Sequence, residues 1–301
     1  MEYGGLGIMK LVTFVRNGRQ QLGVKMDAGI VDLAKAGLTS DIMEVIEGGA
    51  EKVAELERAI GRLDLSASSE FVLDESALEW GPCVTRPNKI ICVGLNYRKH
   101  AEETNAPIPE YPILFNKFNN TLTGHLRPIA VPEVTRKLDY EAELAVVIGK
   151  KTKNVAKENA LEHVFGYACV NDLSARDLQL RTHQWLLGKS CDDFSPLGPY
   201  LVTADEVGNP NELAIRAIVN GEVRQSSNTS DMIFYVDEIV SYISRHMTLV
   251  PGDVILTGTP EGVVLGLPPE RQVYLQPGDE ATIEIEKLGS LTNRFVAERP
   301  R

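Results

Sequence analysis

From Lys89 onward the chain is a succession of short apolar runs, each soon halted by glycine or proline. They are KIICVGLNY, YEAELAVVIG (140–149), YACVND (167–172), AIRAIVNGEVRQ (214–225), DVILTGTP (253–260) and ATIEIEKLG (281–289). Runs of this length and β-branched content read as strands. Helical periodicity appears only near 157–163, 174–182 and 235–246. The regular alternation of strand and helix that builds a doubly wound parallel sheet is missing. The pattern predicts a β-rich α+β domain whose mixed sheet rolls up or approaches a barrel.

The first part of the chain reads differently. Residues 10–34 (KLVTFV, QLGVKM, GIVDL) are broken at Asn17-Gly18 and at Asp27-Ala28-Gly29, which predicts a meander of hairpins. Ser40 is placed as the N-cap of a helix ending at Gly48-Gly49, and a second helix over 50–61 carries Val53, Leu56 and Ile60 on one face. The irregular stretch 64–88 ends at Arg86-Pro87-Asn88 and marks a boundary. The expected organisation is a small N-terminal α/β domain with linker, 1–86, followed by a catalytic domain, 87–301. Residues 1–8, ahead of Met9-Lys10, read as a leader or an upstream start.

Charge narrows the function. Thirty-one basic residues face forty-two acidic ones, a formal net charge of −11, which repels nucleic-acid backbones and anionic lipid. An anionic substrate then needs a local cation. No apolar stretch is long enough for a bilayer and the acidic N-terminus is no secretory signal, so neither nucleic acid nor membrane is expected as a partner. Cys83, Cys92, Cys169 and Cys191 form no C-x-x-C pair. They read as reduced, buried thiols of a cytoplasmic protein.

The chemistry begins at Glu141 and Glu143 in YEAELAVVIG. Residues two apart on a strand share a face, and adjacent carboxylates repel unless a cation or proton lies between them. Taken alone, E-x-E equally describes a solvated strand face. A third acid, Asp172, ends the run at Val170-Asn171-Asp172. Three carboxylates completed by water suit a hard octahedral cation, Mg2+ or Mn2+, better than zinc.

Upstream, His100 and Glu103 in GLNYRKHAEE are spaced to lie on one side of a helical turn, where the carboxylate orients the imidazole as a general base. An isolated H-x-x-E is more often incidental surface charge. The Pro- and Asn-rich TNAPIPEYP that follows reads as a lid. Gly188-Lys189-Ser190 superficially resembles the end of a phosphate loop, but the first glycine of that motif is replaced by His183, and Gln184 to Leu187 are too bulky to wrap a phosphate. Lys189 instead suits an electrostatic partner for an oxyanion or enolate. In Thr257-Gly258-Thr259-Pro260-Glu261-Gly262, the glycines and proline specify a tight loop. Its amides and the Thr259 hydroxyl are placed to receive a carboxylate.

Taken in order, GLNYRKHAEE, YEAELAVVIG, YACVNDLSARDLQ, GKSCDDFSPLGP, SDMIF and GDVILTGTPEGV closely resemble the fumarylacetoacetate hydrolase family, across about three-fifths of the chain. The resemblance implies a rolled mixed sheet, a homodimer, and a metal held by Glu141, Glu143 and Asp172. It implies His100 with Glu103 as the water-activating pair. It also assigns Lys189, Gln179, Thr259 and the neighbouring Gly258 to the substrate site, with Arg176 and Asp177 supporting the metal strand. The implied substrate is a small 2-oxo or 1,3-dioxo carboxylate. Hydrolysis of a C–C bond in a fumarylacetoacetate- or acylpyruvate-type acid is the leading expectation. Decarboxylation of an oxaloacetate-like acid or keto–enol or double-bond isomerisation on the same site is the alternative, and a silent ligand-binding protein the remote one. Walls that set substrate length are expected from loops near 104–112 and 226–235.

Overall fold

The computed structural model describes residues 7–66 and 69–298. The leader reading of residues 1–8 therefore falls largely outside the described residues. Strands β1 (Lys10–Arg16), β2 (Arg19–Met26) and β3 (Gly29–Asp32) form the meander. Helix α1 (Ile42–Ile60) is two helices joined at a kink, as expected: Gly49 has non-helical angles (φ 56°, ψ −143°) and breaks the helix where the Gly48-Gly49 stop was placed. Its N-cap is Asp41, whose carboxylate accepts from the Met43 amide at 3.0 Å, one residue beyond Ser40. Val45 and Ile46 before the kink and Val53 and Leu56 after it are all buried in one core, so both halves pack on the same cluster across the break.

The remaining strands are β4 (Ile90–Gly94), β5 (Ile113–Lys117), β6 (Ala142–Ile148), β7 (Val164–Asn171), β8 (Ser195–Thr203), β9 (Ala214–Val219), β10 (Glu222–Asn228), β11 (Val254–Leu256), β12 (Glu280–Ile285) and β13 (Gly289–Ala297). Four helices matter beside them: α2 (Arg98–Glu103), α3 (Arg176–Gln179), α4 (Leu186–Lys189) and α5 (Val236–His246). The 157–163 segment is a 3-10 helix, and the 174–182 pattern shrinks to α3.

The large sheet runs β3-β2-β1-β8-β7-β6-β11-β4-β5, with Val72–Leu73 beyond β3 and Leu122–Thr123 beside β8. It is mixed, since β11 pairs with β4, and Leu122–Thr123 with β8, in parallel while the others are antiparallel. A second sheet, β10-β9-β12-β13, ends on Ile129–Val131. This is the β-rich α+β fold with a rolled mixed sheet, and among the described residues it does not close into a barrel. Because β1 pairs with β8 (Lys10 opposite Val202), the N-terminal meander continues the central sheet.

Every residue of β6 and β7 is buried. Leu144, Val146 and Ile148 pack with Ile283, Phe295 and Ile239 from the second sheet and α5, while Ala145 and Val147 face the cluster that holds α1. A strand covered on both faces has no solvated side, so E-x-E at its start cannot be a surface pair. Register then brings the acids together: Ala142 lies opposite Asn171 and Glu143 opposite Val170. The amide of Asp172 donates to the Glu141 carbonyl at 3.0 Å.

Candidate active site

Carboxylate oxygens of Glu141, Glu143 and Asp172 lie within 4.8 Å of one another, and all three residues are buried. Three cations surround them. Lys189 Nζ donates to Glu141 Oε2 at 2.7 Å and to Asp172 Oδ2 at 2.9 Å. Arg176 reaches Glu141 Oε1 at 2.8 Å and Asp139 Oδ2 at 2.8 Å. Lys117, at the end of edge strand β5, donates to Asp172 Oδ1 at 2.5 Å and to the Phe194 carbonyl at 2.6 Å.

With Asp139 included, four carboxylates meet three cations. The surplus negative charge falls on Glu143, which no basic side chain pairs among the described residues and which accepts from the Gly258 amide at 2.8 Å. Burial, with Asp172 and Glu141 alongside, lifts the Glu143 carboxyl well above the usual carboxylate range. Burial alone would raise Glu141 too, but Lys189 and Arg176 outweigh it and hold that carboxyl down to about 2. Burial likewise opposes the charge on Lys189, but Asp172 and Glu141 keep the ammonium above the ordinary lysine range. The cluster thus lacks one positive charge at a point lined only by hard oxygen donors, which fits a divalent cation of the Mg2+ or Mn2+ type.

The cluster opens into a cavity of about 190 Å³. Its polar wall includes Glu141, Glu143, Arg176, Gln179, Lys189, His100 and Thr259, and its apolar wall Phe115, Leu180, Trp185 and Leu265. Asp172 is wholly buried and does not line it. His100 Nδ1 and Glu103 Oε1 lie 2.8 Å apart, and Glu103 Oε2 accepts from the Gly262 amide at 3.0 Å. Glu103 is therefore fixed by the 257–262 loop and the ring by Glu103, which leaves Nε2 for the cavity. Gln179 accepts from Arg176 Nη1 at 2.9 Å, and Arg176 Nη2 is buried without a hydrogen-bond partner.

The tight loop behaves differently from expectation. Its Gly258 amide does receive a carboxylate, but that of Glu143. Gly258 has φ 99°, and a Cβ there would meet the Asn96 Cβ at 2.7 Å and the Val93 carbonyl oxygen at 2.9 Å, so only glycine brings that amide in. The Thr259 hydroxyl spends its proton on the Ala142 carbonyl at 3.0 Å and accepts from Gln225 at 2.9 Å. Asp177 turns away from the cluster, accepting from Thr135 Oγ1 at 2.5 Å and the Arg136 amide at 2.9 Å. Thr104 and Ala106 of the 104–112 loop line the cavity, while Ile108 and Tyr111 are exposed; residues 226–235 are not among the lining residues.

Lys117, Asp139 and Gln225 escaped the sequence reading. A lysine closing the apolar strand ILFNK was a signal for the first; Asp139 and Gln225 have no local one, because their partners are remote in the chain, Arg176 and the amides of Val264 and Leu265 for Asp139, the Ala142 amide and the Thr259 hydroxyl for Gln225.

Residues 89–296 match the fumarylacetoacetate (FAA) hydrolase C-terminal family. The chain belongs to the fumarylacetoacetate hydrolase family. Among its relatives, the mitochondrial oxaloacetate tautomerase fahd2 of Xenopus laevis is 42% identical over 297 residues, covering 96% of this chain and 90% of the relative. The human mitochondrial oxaloacetate tautomerase FAHD2A is 44% identical over 262 residues, covering 86% and 81%. The maleylpyruvate hydrolase of Sphingobium sp. SYK-6, solved with manganese(II) and pyruvate, superimposes with a TM-score of 0.80 at 29% identity, covering 97% of this chain and 100% of that one.

Two expectations change with these findings. The cytoplasmic location is overturned: both vertebrate relatives are named mitochondrial. Cys83, Cys92 and Cys169 are free and buried and Cys191 is free and half-buried, and free thiols do not separate the two locations. No helix among the described residues is long and apolar enough to cross a membrane. The order of reactions also changes, since these relatives are named tautomerases and the C–C hydrolase appears as a more distant structural neighbour.

Proposed function

We propose that this chain is a metal-dependent tautomerase of oxaloacetate or a closely similar short 2-oxo dicarboxylate, mitochondrial like its vertebrate relatives. The observation that carries this reading is the cavity itself. At about 190 Å³ it falls below the roughly 300–1,000 Å³ of ordinary ligand pockets, yet Lys189, His100 and two of the three acids, Glu141 and Glu143, all line it. A four-carbon acid suits that volume better than a fumarylacetoacetate-sized one.

A cation held by Glu141, Glu143 and Asp172 supplies Lewis-acid polarisation of the 2-oxo group when bound. The chain's own residues do the rest. His100 carries a proton through Nε2 between C3 and the 2-oxo oxygen, taking it from C3 and delivering it to the oxygen in enolisation and the reverse in ketonisation, with Glu103 fixing the ring and stabilising its charge. Lys189, held protonated by its carboxylates, faces the negative charge that develops on the 2-oxo oxygen. Arg176 Nη2 and the Gln179 side-chain amide orient the carboxylate. Tautomerisation moves one proton and requires no water. C–C hydrolysis is retained as the second reading because the same His100–Glu103 pair can activate water.

The deciding experiment follows the enol absorbance of oxaloacetate and the cleavage of acetylpyruvate, using chelator-treated protein with and without Mg2+ or Mn2+. Metal-restored enol–keto conversion supports the proposal. Cleavage of acetylpyruvate without effect on oxaloacetate replaces it with the hydrolase. The homodimer belongs to the same proposal; sedimentation at the single 33.1 kDa chain mass would remove it.

A pH effect follows from Glu143. Its carboxyl is raised above the ordinary value in the folded protein. The stability linked to its protonated form is therefore present below the unfolded value and lost as pH rises through the folded one. Cation binding needs the carboxylate and so releases a proton. Mg2+ is expected to raise Tm more at pH 8 than at pH 6; equal increments would show Glu143 already ionised at the lower pH.

A further inference from the structure

From Leu180, where the loop joining α3 to α4 begins, through Leu187 in the first turn of α4, every residue is exposed except the half-buried Trp185. Its indole turns inward and becomes part of the cavity wall. Two contacts hold it there. The ring lies against the backbone of Gly94 at the end of β4, where a Cβ would meet Trp185 Cζ3 at 2.6 Å and Cη2 at 2.9 Å. On the other side it packs edge-on to Phe115, with centroids 5.3 Å apart and planes at 72°. Phe115 in turn lies 5.2 Å from Lys189 Nζ. The wall is stiff, because a tryptophan has only two side-chain torsions and this one packs against both Gly94 and Phe115. Trp185 is also the N-cap residue of α4, the helix that carries Lys189. The distance between the reacting end and the indole is therefore set by one short element.

We propose that Trp185 is the specificity-determining residue that caps substrate length, restricting the cavity to 2-oxo acids of about the size of oxaloacetate. This rests on the proposed function for the choice of 2-oxo acids, but the length limit itself is a property of the wall. The loop 226–235 contributes nothing to it.

The test is a calorimetric ladder: binding of 2-oxoglutarate, 2-oxoadipate and 2-oxopimelate in the presence of Mn2+, for wild type, Trp185→Phe and Trp185→Ala. In the wild type each added methylene is expected to weaken binding by about 10–200-fold, the range one misfitting methylene commands. In Trp185→Ala the total fall along the ladder should shrink by at least about tenfold, with Trp185→Phe intermediate. Parallel ladders in wild type and Trp185→Ala overturn the proposal, as does a flat ladder in the wild type. Should Trp185→Ala fail to fold, a Trp185→Phe ladder identical to the wild type overturns it equally. Absence of oxaloacetate tautomerisation in the wild type, with the ladder behaving as expected, removes the functional reading and leaves the length limit standing.

Discussion

Asp172→Ala is expected to abolish Mn2+ binding and with it every turnover the site supports. Its two oxygens are divided between Lys117 and Lys189, all three side chains being essentially inaccessible to solvent. Alanine leaves two ammonium groups facing each other across a dry gap. Breaking a buried ion pair from one side costs about 3–5 kcal/mol, so urea denaturation should show a marked loss of stability. Calorimetry should show Mn2+ affinity falling by more than the roughly 10–100-fold that outer-shell changes cause. Asp172→Asn separates the two effects: it keeps the shape and part of the hydrogen bonding, and is expected to lose the metal while recovering much of the stability. Metal affinity retained in either variant would mean that Asp172 serves only to neutralise the lysines.

Lys189→Met is expected to lower kcat for oxaloacetate by about 10²–10³, the range measured when one oxyanion partner is removed. The same variant should alter the acid limb of stability. In the wild type Glu141 is held down to about 2, so its contribution is present above the ordinary carboxylate value and is lost as pH falls toward 2. Without the Lys189 charge, burial works against the Glu141 carboxylate with Arg176 and, more weakly, His100 opposing it. Acid unfolding should then begin at higher pH. An unchanged acid midpoint together with full activity would count against both assignments of Lys189. A fall in activity without a shift of the midpoint would leave the catalytic role and remove the claim that Lys189 holds Glu141 ionised.

Much of this site was legible without coordinates because its chemistry sits in contiguous motifs. Glu141 and Glu143 are two apart, His100 and Glu103 one helical turn apart, and strand geometry and helical spacing translate such separations into position. The metal-type donor set followed from residue type alone. What local pattern could not supply was which partner each group keeps. The loop at Gly258 was legible as a carboxylate receptor, yet the carboxylate it receives is 115 residues away in the chain and belongs to Glu143. Asp177 looked like a support of the metal strand because it follows Arg176, but consecutive residues on α3 point in different directions, and only Arg176 faces the acids.

The helix boundaries show the same division. Gly48-Gly49 was legible as a stop, and Gly49 does break the helix, whereas only the tertiary structure shows that both halves share one core. The sequence by itself determined the β-rich class and put Glu141 with Glu143, and His100 with Glu103, on a shared face, since these depend on short-range periodicity; the family resemblance joined Asp172 and Lys189 to them. Only the tertiary structure decided that Lys117 closes the charge balance, that the Glu143 carboxyl carries the surplus, and that Trp185 rather than the 226–235 loop walls the cavity. Those outcomes depend on which distant strands become neighbours, and that is fixed by the burial of β6 and β7 between two layers.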